Sequence, residues 1–347
     1  MIDDRTDAEK ARSKRVHAMV MIILGAIMSL CALAAGLIAM SPGVFPSWMT
    51  GGWGRRETPA YRISSKTLVV FADFNSNALS RARVQHKLVL LHLAPFWSRE
   101  ARLMEETTYA DSKTAAWIAA HLVATRADVD ERPDLASLYG VGAWPTTVLI
   151  HPDGRALAGA ARLTPRLLMP WAGLILETLK ADASKADGFA ADARRRVEAV
   201  RRRPEPAPGP DDAVWGGVYR SPSEYAKTLA DQTFVVLSGD VLRAKAALRF
   251  VEHFMSLPGG GYASSVSGEV RLADGRIEEG ASYFAKDDAG RRASGLPVVD
   301  RRLFLGPNAD MARAVLLSKA ATSAQKAHAR RTLDLFRKQP LPETVKR

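Results

Sequence analysis

Cysteine is almost missing: one residue of 347, Cys31, carries a thiol. A lone cysteine forms no intrachain disulfide, and dithiol redox chemistry is closed to this polypeptide by itself. The seven histidines (His17, His86, His92, His121, His151, His253 and His328) are scattered. Without cysteine or carboxylate spacing they fit no zinc signature, so neither a metal nor a cofactor is expected. Acidic residues are short too, 37 against 49 basic, which leaves a formal charge of +12. Of the basic residues 35 are arginine, and an arginine excess beside an alanine excess follows genomic base composition; no nucleic-acid partner is inferred. With 47% hydrophobic and 25% charged residues, the chain has enough apolar content to exclude disorder as its main state.

What the sequence does have is a long apolar run. Ala18 to Met40 contains twenty-three residues without a charge. As a helix it would be roughly 34 Å long, sufficient for a hydrocarbon core of about 30 Å. Arg5, Lys10, Arg12, Lys14 and Arg15 precede it, and no basic residue follows until Arg55. That bias puts residues 1–17 in the cytoplasm and the bulk of the chain outside, as a single-pass protein of the cell inner membrane facing the periplasm. Two rivals are weaker. The run is long for a signal peptide and continues past Ala32-Leu33-Ala34, and Leu30 is bulky for a lipidated Cys31.

Beyond a 41–60 spacer, residues 61–185 have a mixed α/β pattern. Lys87 to Leu93 is a short apolar run typical of a buried parallel strand. Ala115 to His121 reads as helix, His121 to Asp128 as strand, and Asp134 to Tyr139 as a short helix ended by Gly140. Thr147 to His151 is the next strand, Pro152-Asp153-Gly154 signals a hairpin turn, and Leu163 to Lys180 a helix on a sheet. This is the element order of an α/β thioredoxin-like domain. Residues 186–210 then form a basic helix and a proline-rich linker. Arg194, Arg195, Arg196, Arg201, Arg202 and Arg203 recur on one helical face, where a solvated surface or attraction to anionic lipid is conceivable. Residues 211–347 read as mainly helical, best at Val241 to Met255 and Ala309 to Ala321. Gly259-Gly260-Gly261 lacks phosphate-loop spacing and is expected to be a turn beside a buried Tyr262.

The segments from Asp73 to Tyr109 and from Val129 to Gly159, with Asp130-Glu131-Arg132-Pro133-Asp134 and Trp144-Pro145 at characteristic spacings, resemble the thioredoxin-like domain of the spermatogenesis-associated thioredoxin family. Members join that domain to a six-hairpin α/α barrel, of which Trp215-Gly216-Gly217 and Gly260-Gly261-Tyr262 are weaker echoes. Fewer than 140 residues remain for it, so the resemblance implies a truncated barrel. Aligned on Leu103-Met104-Glu105, the family's Cys-x-x-Cys falls on Ser98-Arg99-Glu100-Ala101, and both sulfurs are gone. A serine hydroxyl cannot replace the thiolate such exchange needs. Ser98 is expected instead to cap a helix, and His92 to be a core imidazole.

By the same resemblance Pro145 is a cis proline whose neighbouring backbone could pair with an extended peptide. Phe96, Trp97 and Trp144, with Tyr139, are candidates for an aromatic rim at that edge, or for core positions. The leading expectation is a membrane-anchored protein without redox chemistry, acting as a binding, assembly or structural subunit for a membrane complex or an extracytoplasmic polypeptide. The alternatives are an enzyme acting on carbohydrate or peptide through its C-terminal region, or a degenerate thiol-disulfide oxidoreductase. Glu278-Glu279 and Asp287-Asp288 are adjacent pairs that should point apart, whereas glycosidic chemistry needs two facing carboxyls.

Overall fold

The computed structural model describes residues 66–203 and 206–337, all within one compact unit. The apolar run 18–40, its flanks, Cys31 and the 41–60 spacer lie outside the described residues. Among the described residues no helix is long and apolar enough to cross a membrane.

The first layer is a five-stranded sheet. β1 (Ala72–Asp73), β2 (Leu88–Ala94), β3 (Leu122–Asp128), β4 (Thr146–Ile150) and β5 (Ala156–Ala161) lie in the order β1-β3-β2-β4-β5. β1, β3 and β2 are mutually parallel, β4 runs antiparallel to β2, and β5 runs antiparallel to β4. Every residue of β2 is buried, because a central strand between two layers has no wet face. Its side chains alternate accordingly. Leu88 and Leu90 join one cluster with Met104, Ile118, Leu168 and Ile175, while Val89, Leu91 and Leu93 join a second with Phe74, Ala82 and Leu135.

Helices α1 (Ser76–Val84) and α4 (Pro133–Tyr139) supply the second cluster. The first cluster comes from α2 (Arg99–Thr107), α3 (Ser112–His121) and α5 (Pro165–Ala181). The β4–β5 hairpin turns where the sequence expects, with Gly154 at φ +94° and its amide bonded to His151 O at 2.8 Å. Helix α6 (Lys185–Arg201) packs on β5, burying Ala186, Ala193 and Val197, and so covers an edge strand that would otherwise be open. The six clustered arginines, four on α6 and Arg202 and Arg203 just past it, stay exposed. Arg194 and Arg195 face Glu198 and Asp192 on the same helix, and Arg201 donates to Ser137 O at 2.9 Å.

The C-terminal region is mainly helical: α7 (Leu229–Leu237), α8 (Val241–Phe250), α9 (Gly280–Phe284), α10 (Asp288–Ser294), α11 (Leu305–Leu317) and α12 (Ser323–Arg337). Helix α8 runs into a single π turn, Val251–Met255. Short strands β6 (Lys227–Thr228), β7 (Ser265–Val266) and β10 (Val299–Asp300) pair antiparallel, as do β8 (Val270–Arg271) and β9 (Ile277–Glu278). The core holds Tyr219, Phe250, Tyr283 and Met311, and within it Asp212 binds both Lys227 and Arg291. The glycine triplet is a turn, as expected: Gly260 and Gly261 take φ near +98° and +90°, and Tyr262 is buried.

Candidate functional site

The end of β2 feeds through Pro95 to Ser98 into α2, where the reactive helix of the sequence resemblance should begin. Ser98 is the N-cap: its backbone is extended and its Oγ accepts the Ala101 amide at 3.2 Å. A hydroxyl here satisfies one of the amides that a helix start leaves open. Ser98 and Ala101 are both buried. Ser98→Ala should therefore cost about 1 kcal/mol of stability, the usual value of an N-cap, with the fold intact; urea unfolding checks this.

The next amide is occupied from far along the chain. Arg99 N–H donates to Glu224 Oε2 at 3.0 Å, so a carboxylate from the C-terminal region sits on the positive end of α2. Burial pushes the Glu224 carboxyl up to about 7, against the stabilising amides of Arg99 and Ala226. Two arginines of α2 extend the contact. Arg102 forks onto Glu269 with two bonds of 2.6 Å and reaches Glu279 at 3.2 Å and Glu106 at 3.0 Å. Arg99 binds Glu279 and, at 2.9 Å, Glu100. Glu278 turns instead to Lys286 at 2.6 Å, so the adjacent acids do point apart. Asp287 caps α10 while Asp288 pairs with Arg292.

A second bridge lies at the ends of β2 and β3. Arg302 binds Asp128 at 2.7 Å as well as Asp300, and its guanidinium stands 6.0 Å from the Phe96 ring and 5.3 Å from Phe304. Arg220 stands 5.9 Å from Trp97. Burial and then the charge of Asp128 push the Asp130 carboxyl up to about 7, opposed by Arg302. In the Asp130–Asp134 motif, Pro133 opens α4 and Arg132 pairs with Asp134.

The Trp144-Pro145 bond is cis, and Pro145 is buried. Arg162 engages both carbonyls there, through its amide to Pro145 O at 3.1 Å and its Nε to Trp144 O at 3.3 Å. Trp144 packs with Tyr139 against the second sheet cluster. Phe96 and Trp97 instead meet arginines of the C-terminal region, and no ring contact joins them to Trp144 among the described residues. The four candidates are thus divided between two settings.

His92 is a core residue. Burial, with the charge of Arg126, pushes its pKa down to about 3, and Nδ1 meets Tyr109 Oη at 3.2 Å. Among the described residues no group of His, Cys, Asp or Glu could hold a metal ion. Glu224, Glu269 and Arg302 are site residues that sequence reasoning missed, and Glu279 was read only as half of an adjacent acidic pair, not as a partner of α2. The signal available was weak: acids and one arginine in a region with no matching motif.

Residues 55–197 match the family model described as Thioredox_DsbH, protein of unknown function, DUF255. With the strand order above, this makes the domain thioredoxin-like. An uncharacterized protein of Caenorhabditis elegans, B0495.5, is 23% identical over 120 residues, which cover 32% of this chain and 16% of that protein. The chain thus spans well under two thirds of that relative. Among solved structures, a DsbH oxidoreductase is 18% identical, with 34% of this chain and 88% of that one covered and a TM-score of 0.26. A putative disulphide-isomerase from Bacteroides thetaiotaomicron is 27% identical (29% and 88% covered, TM-score 0.27). A disulphide isomerase from Xylella fastidiosa Temecula1 is 26% identical (24% and 67% covered, TM-score 0.23).

Proposed function

We propose that a DsbH-type thioredoxin-like domain, deprived of both sulfurs of its redox motif, has become the non-redox platform of a membrane-anchored, extracytoplasmic binding or assembly subunit. The observation that supports this reading is the start of α2. Ser98 and Ala101, onto which the sequence resemblance puts the two thiols of exchange, lie at the cap and first turn of α2, and Glu224 of the same chain holds the Arg99 amide. Dithiol exchange needs a thiolate that attacks and a second thiol that resolves the mixed disulfide; Cys31 alone offers no such pair. The helix face that would meet a disulfide substrate is engaged by the chain's own carboxylates.

The finer parts belong to the same proposal. Anchoring rests on the uncharged run Ala18 to Met40, and the exposed arginines of α6 are suited to anionic headgroups on the same surface. Kinship with the spermatogenesis-associated thioredoxin family, with a shortened barrel after Pro210, rests on the quoted motifs. A carbohydrate-active reading gains nothing from Glu278, Glu279, Asp287 and Asp288, which serve as cap and ion-pair partners.

The test is gentle detergent extraction of the tagged native protein, native-gel sizing and mass spectrometry, with an insulin-reduction assay on the same sample. Stoichiometric recovery with integral membrane proteins and reduction at background are expected. A soluble protein, a partner-free monomer or dithiol-dependent insulin reduction would overturn the reading.

A further inference from the structure

Away from the thioredoxin face, the π turn and α12 enclose a half-open cavity of about 170 Å³. Its apolar floor is made by Leu248, Val251 and Val315, all buried. Charges of opposite sign stand on two different elements at its mouth, Glu252 on the π turn and Arg331 on α12. They form no ion pair with each other. Glu252 accepts only Gln325 Nε2, at 2.8 Å, and the one bond of the Arg331 guanidinium goes to His328 Nδ1, at 3.4 Å, among the described residues. His328 Nε2 meets Gly261 O at 3.0 Å, which places its proton on Nε2 and leaves Nδ1 as the acceptor for Arg331. Burial lowers the His328 pKa, consistent with a neutral ring that orients the arginine without adding charge.

An exposed carboxylate and an exposed guanidinium, each with one protein partner among the described residues, beside an apolar floor suit a ligand that carries both charges and an apolar part. We propose that this cavity binds a small zwitterion, an α-amino acid with an apolar side chain. Its ammonium would meet Glu252, its carboxylate would meet the planar donors of Arg331, and its side chain would cover Leu248, Val251 and Val315. The cavity, about 170 Å³, is well beyond the roughly 10–15 Å³ that a single water needs and has room for a small ligand. A π turn, as an irregularity inside a helix, often marks such a site.

The experiment is isothermal titration of L-leucine into the full-length detergent-solubilised protein, repeated with leucinamide, which lacks the carboxylate, and isocaproate, which lacks the ammonium. Saturable one-to-one binding of leucine at about millimolar Kd or tighter is expected, with each truncated ligand at least about tenfold weaker. Arg331→Ala and Glu252→Gln, both at exposed positions with melting temperature checked in parallel, should each weaken leucine about tenfold, and Arg331→Lys less. No saturable binding overturns the proposal. Equal binding of isocaproate, or unchanged affinity in both variants, overturns it too, by showing a simple anion site or another location.

Discussion

Asp212→Asn is expected to be among the most damaging single substitutions in the chain, with a loss on the order of 3–5 kcal/mol. The Asp212 carboxylate receives Lys227 Nζ at 2.6 Å and two Arg291 donors at 2.8 and 3.0 Å, all three side chains being essentially inaccessible. The surroundings are aromatic: Lys227 Nζ lies 4.0 Å from the Phe250 centroid, and the Arg291 guanidinium 4.9 Å from Trp215. Ring faces attract each cation but do not separate two of them. Without the aspartate charge, two cations would share a dry core with nothing between them. The triad also ties down backbone, since Asp212 accepts the Val214 and Trp215 amides, Lys227 donates to Gly216 O and Arg291 to Phe284 O and Lys286 O. The triple variant Asp212→Leu, Lys227→Met, Arg291→Met removes the unbalanced charge but strands these groups, and should recover only part of the loss. Urea unfolding of both variants checks the pair of expectations; a loss below about 1 kcal/mol for Asp212→Asn would contradict them.

The same triad sets a pH dependence. Burial alone would raise the Asp212 pKa, but the Arg291 bonds and the charge of Lys227 outweigh it and hold the carboxyl down at about 2. A depressed carboxyl contributes stability above its unfolded pKa of 3.8 and loses it as pH falls toward 2. Burial brings Lys227 down to about 8 against the opposing pull of Asp212. Between 8 and 10.5 the unfolded chain then binds more protons at this lysine than the folded one, so its contribution grows as pH rises through that window.

Much of the thioredoxin layer was legible in the sequence because its signals are local. The apolar run at Lys87–Leu93 becomes β2 at Leu88–Ala94, and the Pro152-Asp153-Gly154 turn joins β4 to β5. Ser98 as an N-cap follows from a polar residue before an amphipathic helix and is where the sequence puts it. The surroundings of the candidate rim were not legible, because whether Trp144 packs on the core cluster or Phe96 meets Arg302 depends on contacts over long sequence separations. The clamp on α2 was illegible for the same reason. Arg99 and Glu224 lie 125 residues apart, and Arg102 and Glu269 167; no periodicity links such positions. Nothing in the sequence singles out Lys227 and Arg291, 64 positions apart, which the fold places together on Asp212.

A thiol restored at the start of α2 should be nearly inert. In a Cys31→Ser background, Ser98→Cys would carry a single sulfur at a position whose native side chain is 5% exposed. The helix dipole favours its thiolate. Burial opposes ionisation, and so does the Glu224 carboxylate held on the neighbouring amide. Aromatic-disulfide reagents should therefore react with the folded protein at least about tenfold more slowly than with the urea-unfolded chain. Glu224→Gln, which keeps a hydrogen-bond acceptor and removes the charge, should raise the rate. The contact also carries a pH signature. An acid whose folded pKa is raised to about 7 takes up a proton on closure between its unfolded value of 4.5 and 7, so the clamp is favoured at low pH and weakens as pH rises through 7. From pH 6 to 8 the modification rate of the Ser98→Cys protein should rise more steeply than thiolate formation alone, and the additional Glu224→Gln change should abolish that excess. A folded-state rate equal to the unfolded one would mean that the start of α2 is open, removing the observation on which the proposed non-redox role depends.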